Sequence, residues 1–137
     1  KPQLCEVTQR LLDADGKEIA RSAATTLGLK SKETVTTKQS ISITSPHLWS
    51  TTDPYLYKVE TTISQNGKIV DVYTTTTGIR DIAFSSEQGF LLNGKPLKLK
   101  GVNMHQDHAG VGSAIPDALQ AWRIKQLKAF GCNAYRA

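Results

Sequence analysis

All fifteen threonines of this 137-residue chain lie at or before Thr77, and none follows. So dense a supply of a β-branched residue favours pleated strands, and its abrupt end marks a change of architecture. Before residue 78, apolar residues alternate with polar ones. Cys5, Val7 and Leu11 form one such run, Val35, Thr37, Ile41 and Ile43 a second, and Tyr55, Tyr57, Val59 and Ile63 a third. A period of two places each set on one face of a half-buried strand. Asp15-Gly16 and Asn66-Gly67 are tight-hairpin signals between runs. Five strands are predicted, near residues 3–12, 18–26, 34–44, 55–64 and 68–78. Cys5 is expected to be a buried thiol. A disulfide to Cys132 has no support, and two cysteines do not fix the compartment.

After residue 78 the pattern differs. Phe90-Leu91-Leu92, Asn93-Gly94 and Lys95-Pro96-Leu97 predict a small hairpin, and Leu97, Leu99 and Val102 a short strand ending near 101–103. A loop from Met104 to Pro116 follows. Asp117 and Gln120 then stand as N-cap and N3 of a capping box. Leu119, Trp122, Leu127 and Phe130 form a helical apolar stripe, and Gly131 suits the position just past the helix end. Asn133-Ala134-Tyr135-Arg136 begins another strand. Strand, helix and strand in this order build a parallel sheet or barrel.

Several function classes are excluded. A complete (β/α)₈ barrel takes about 250 residues. No uncharged stretch reads as a membrane span. The chain begins with Lys1 and Pro2, not Met, and is expected to be part of something longer. Its net charge of +5 invites a nucleic-acid reading. Residues 1–77 hold 9 basic and 8 acidic residues, however, and residues 78–137 hold 8 and 4. The densest basic run, Lys95, Lys98 and Lys100, has no nucleic-acid motif beside it and reads as a solvated face. Neither nucleic acid nor membrane is expected as a partner.

In a strand–helix–strand unit, residues just beyond the strands' C-terminal ends gather on one rim, where ligands bind. That rim would receive Asn103, His105, Asp107 and His108 after the first strand and Arg136 at the end of the second. Amide, imidazole, carboxylate and guanidinium groups together suit a ligand rich in hydroxyls; the plain alternative is a solvated loop with Arg136 in a salt bridge. Zinc binding by His105, Asp107 and His108 is disfavoured, because their spacing is not a ligand motif. No Gly-x-Ser-x-Gly nucleophile elbow occurs. Cys132 follows the C-terminal end of a helix, which does not favour thiolate.

Four segments together resemble glycoside hydrolase family 2, and within it β-galactosidases. They are Pro46-His47-Leu48-Trp49-Ser50 through Asp53-Pro54-Tyr55-Leu56-Tyr57, then Gly78-Ile79-Arg80, then Phe90 through Asn103, and finally Asn133-Ala134-Tyr135-Arg136. The resemblance implies a mainly β chain: an immunoglobulin-like β-sandwich over residues 1–79, then a linker, a hairpin and the first β-α-β portion of a TIM barrel over 80–137. A sandwich of that type has about seven strands, so its opening strand or strands are expected to be missing. Trp49 and Trp122 are expected to pack, not to hold sugar.

The implied chemistry is retaining hydrolysis of a β-glycosidic bond by two carboxyl groups about 5–5.5 Å apart. In the family both are glutamates on later barrel strands. After Gly78 this chain holds only Asp81, Glu87, Asp107 and Asp117 as acids. No catalytic residue is therefore assigned, and the chain alone is expected to be inactive. The resemblance makes His105 and Asp107 sugar contacts and Arg136 a cation that keeps the nucleophilic carboxylate ionised. Asn103 would shape the loop. Gln106 stands where several members have Glu, which weakens any exact substrate assignment, and His108 has no secure counterpart. No cofactor is implied for this chain, a divalent cation is left open for the whole enzyme, and that enzyme is expected to be a homo-oligomer. Two other expectations stand beside this one. A non-catalytic carbohydrate- or protein-binding sandwich is the competing function. Unpaired strand edges also predict self-association, or poor order across residues 90–137.

Overall fold

A computed structural model describes residues 3–136. The chain divides into two compact units, Lys1–Arg80 and Asp81–Ala137. The first is built on one antiparallel sheet. Its strands are β1 (Gln3–Leu12), β2 (Glu18–Arg21), β3 (Thr25–Leu29), β4 (Tyr57–Gln65) and β5 (Lys68–Thr77). The order is β2-β1-β4-β5, with β3 also paired to β1. The predicted face of β1 is the inner one: Cys5, Val7 and Leu11 are buried, with Tyr57 at the start of β4. Cys5 and Cys132 are both free thiols.

Arg10 and Glu60 face each other in the β1–β4 register. The Arg10 guanidinium donates to Glu60 Oε1 and lies 3.5 Å from Glu18 on β2. Arg21 holds Glu18 from the other side at 2.7 Å. The Arg21 hydrogen bond pulls the Glu18 carboxyl below its usual range; desolvation opposes it, and the charges of Arg21 and Arg10 add to the lowering.

Turn chemistry explains the hairpins. Asn66 (φ 50°) and Gly67 (φ 74°) form the two-residue turn between β4 and β5, where positive φ at both positions matches the twist of the strands. The Asp15-Gly16 signal gives a longer loop instead. Asp13 Oδ1 accepts from the amides of Asp15 and Lys17, at 3.0 and 2.8 Å, and this closes five residues between the paired Leu12 and Glu18.

Two strand expectations need correction. The predicted strand at 18–26 is two strands, because β2 follows the end of β1 and β3 follows its beginning. Between them Ser22 turns its hydroxyl to accept from the Gln9 amide at 3.0 Å. The predicted strand at 34–44 is not a strand. Its alternation is real, since positions 37, 39, 41 and 43 are half-buried and their neighbours exposed. No neighbouring strand offers it a ladder, so a side chain secures it. Gln39 Nε2 donates toward Val7 O, Ala23 O and Thr25 Oγ1 at 2.8–3.0 Å.

The second unit contains a three-stranded antiparallel sheet and a parallel pair. The first comprises β6 (Ile82–Ser85), β7 (Gly89–Leu92) and β8 (Lys95–Pro96). The hairpin foreseen at Asn93-Gly94 is β7–β8, and β6 adds a strand to it. The parallel pair is β9 (Gly101–Asn103) with β10 (Ala134–Arg136), joined through α1 (Asp117–Ala129).

Helix α1 starts one residue earlier than a capping box on Asp117 requires. Pro116 is the N-cap, without a side-chain cap, and its carbonyl accepts from Leu119 and Gln120. Asp117 is the first helical residue, where its charge still favours the helix N-terminus. At the other end Gly131 (φ 85°) closes the helix. Its N–H donates to Lys128 O and that of Cys132 to Leu127 O, the two bonds of a Schellman cap.

Candidate active site

The rim is set by the register of β9 and β10. Gly101 pairs with Ala134, Val102 with Tyr135 and Asn103 with Arg136. Gly101 has to be glycine, because a Cβ there would sit 2.7 Å from the Ala134 carbonyl oxygen. Asn133 fixes the start of the pair. Its Oδ1 accepts from the Lys100 amide at 2.7 Å, and its Nδ2 donates to Lys98 O at 3.0 Å.

Asn103 and Arg136 are thus neighbours at adjacent strand ends. The chain then turns away, with Met104 N–H donating to Arg136 O at 3.1 Å. His105 and Asp107 follow on the loop and are exposed, as are Asn103 and Arg136. Among the described residues no hydrogen bond or ion pair joins these four side chains. His108 has a different role. It exchanges backbone bonds with Gly112, at 3.0 Å each way, and its Nδ1 lies 2.8 Å from Ala109 O. It closes its own turn. Among the described residues no group of three His, Cys, Asp or Glu side chains is placed to hold a metal ion.

The first unit shows what its sequence pattern does physically. Trp49 N–H donates to Ile79 O at 2.8 Å, and the Arg80 guanidinium lies over the indole, 5.1 Å from its centroid. His47 stacks on Tyr55 with centroids 4.1 Å apart, and its Nε2 lies 2.6 Å from Asp53 Oδ2. Tyr57, 3% exposed, accepts the His47 N–H on its hydroxyl at 2.7 Å. Each of these conspicuous residues is committed to packing or to a neighbour.

Comparison with known proteins agrees with both units. Residues 1–80 match Glycosyl hydrolases family 2, and residues 84–137 match the TIM barrel domain of the same family. The chain belongs to glycosyl hydrolases family 2. Its class is mainly β, an immunoglobulin-like sandwich portion followed by the start of a TIM barrel. Beta-galactosidase BoGH2A of Bacteroides ovatus is 36% identical over 130 residues, which cover 95% of this chain and 15% of that protein. Human beta-glucuronidase is 33% identical over 136 residues, 97% of this chain and 20% of that one. Among solved structures, Bacteroides uniformis beta-glucuronidase 2 superposes with a TM-score of 0.86 at 30% identity, over all of this chain and 17% of that one. The chain therefore spans about a fifth or less of these family 2 proteins.

One buried residue of the family 2 barrel segment escaped sequence reasoning. Trp122 and Phe130, assigned to the packed stripe of α1, are 53% and 85% exposed, whereas Arg123 is buried. Leu119, Arg123 and Leu127 are spaced by four, so one helix face carries all three. The signal was an arginine in the middle of an apolar row. By residue type alone, an arginine there marks a solvated face.

Proposed function

We propose that the chain is part of a retaining β-glycosidase acting on terminal β-galactosides. Residues 1–79 serve as the sandwich scaffold, and residues 80–137 supply the linker, hairpin and opening unit of the barrel. The observation that carries this reading is the parallel β9–β10 register, with Asn103 beside Arg136 and the His105–Asp107 loop following directly. His105 and Asp107 meet sugar hydroxyls, Arg136 keeps a neighbouring carboxylate ionised, and Asn103 shapes the loop. Galactose is favoured by the resemblance of the four motif segments and by the B. ovatus relative. The two glutamates of the reaction lie elsewhere in the whole enzyme. Within the barrel unit past β9 the acids are Asp107 and Asp117, and Asp117 heads a helix.

Kinetics on aryl glycosides test this reading. His105→Ala in the whole enzyme should lower kcat/KM on p-nitrophenyl β-galactoside about a hundredfold, the scale for losing one well-placed donor to a developing charge. Unchanged kinetics would remove His105 from the site. Faster turnover of the β-glucuronide than of the galactoside would overturn the sugar assignment. The 137-residue chain alone should hydrolyse neither.

A further inference from the structure

Arg123 is the only charged side chain of α1 that is buried, at 8% exposure. Its Nη2 donates to the main-chain carbonyl of His105 at 3.3 Å. Its Nη1 is buried with no acceptor among the described residues. A guanidinium keeps its charge under all ordinary conditions. Burying one with a single neutral acceptor is unfavourable, and a leucine would fill the same place between Leu119 and Leu127 without that penalty. Helix packing therefore does not account for it.

What the arginine touches does account for it. The loop beyond β9 is tied at Met104, through Arg136 O, and again at His108 through its turn with Gly112. Between these two ties, among the described residues, the Arg123 bond to His105 O is the hydrogen bond that reaches the loop from the helix. We infer that Arg123 is a positioning residue, which holds the His105 backbone so that the imidazole meets the sugar in a fixed orientation. This inference rests on the reading of His105 given above.

A double-mutant cycle in the whole enzyme tests it, with p-nitrophenyl β-galactoside as the probe and thermal melting to verify folding. Arg123→Met removes every donor while keeping much of the volume. It should lower kcat about tenfold with KM nearly unchanged, the kind of loss that slight misplacement of a reacting group brings. Arg123→Lys, which keeps the charge and one donor, should recover part of that loss. In a His105→Ala background Arg123→Met should have no further effect. Should Arg123→Met fail to fold, Arg123→Lys carries the cycle, and its smaller loss should likewise vanish beside His105→Ala. Multiplicative effects, or wild-type kinetics for Arg123→Met beside a damaged His105→Ala, would overturn the positioning role and leave the site reading intact. An undamaged His105→Ala enzyme would overturn both.

Discussion

Gly78 lacks a side chain because Trp49 occupies the space one would fill. A Cβ at that position would lie 3.0 Å from three atoms of the tryptophan, which is itself held by its bond to Ile79 O. That backbone bond fixes the Trp49 Cβ, one of the three atoms, and the indole beyond it lies under the Arg80 guanidinium. Gly78→Ala should therefore destabilise the first unit by about 1–3 kcal/mol, the usual range for overpacking. Urea unfolding followed by tryptophan fluorescence would measure it, and a change within experimental error would mean that Trp49 has room to shift. The motif Gly78-Ile79-Arg80 was legible in the sequence as a family pattern. Its physical reason was not, because it depends on a partner 29 positions earlier in the chain. Arg123 shows the same limit in reverse. Its residue type argued for solvent, and only the three-dimensional position of His105 O gives it a role.

Elements were most legible where the turn between them was local. Asn66-Gly67 fixed the β4–β5 hairpin, Asn93-Gly94 the β7–β8 hairpin, and Gly131 the end of α1. They were least legible where pairing partners are distant. Alternation at residues 34–44 places Thr37, Ile41 and Ile43 on the inner side but fails at Val35, which is exposed, and a ladder requires a neighbour that alternation cannot report. The β1–β2 pair carries a pH-dependent contribution. Glu18 has its carboxyl lowered by Arg21 and then Arg10, so its share of stability is present above the ordinary carboxylate range. It is lost as acidification passes through the lowered value. Glu18 is partly exposed, so the effect is small and sensitive to salt. Glu18→Gln should unfold at lower urea than wild type at neutral pH, and the gap should close at acid pH. A gap independent of pH would show that the loss is one of packing.

At the scale of the whole molecule, the change of composition after Thr77 lies close to the division of the chain after Arg80, and strand, helix and strand follow in the expected order near its end. The exact inner face of α1 was not legible in the sequence. Among the described residues, three of the four ladders of the first sheet run through β1, which pairs with β2, β3 and β4. The β4–β5 turn closes on two residues, whereas Leu12 meets Lys58 only after the intervening chain has been gathered in. Hairpins form in microseconds, and closing a long loop adds an entropic barrier. The order of assembly is thus written into the register. Our hypothesis is that the β4–β5 hairpin forms first, and that the docking of β1 upon it limits the rate. Val59→Ala on β4 should then slow folding, while Leu4→Ala at the β1–β3 end should mainly speed unfolding, as φ-value analysis of both would reveal. The reverse assignment would mean that the amino-terminal strand is the template on which the others settle.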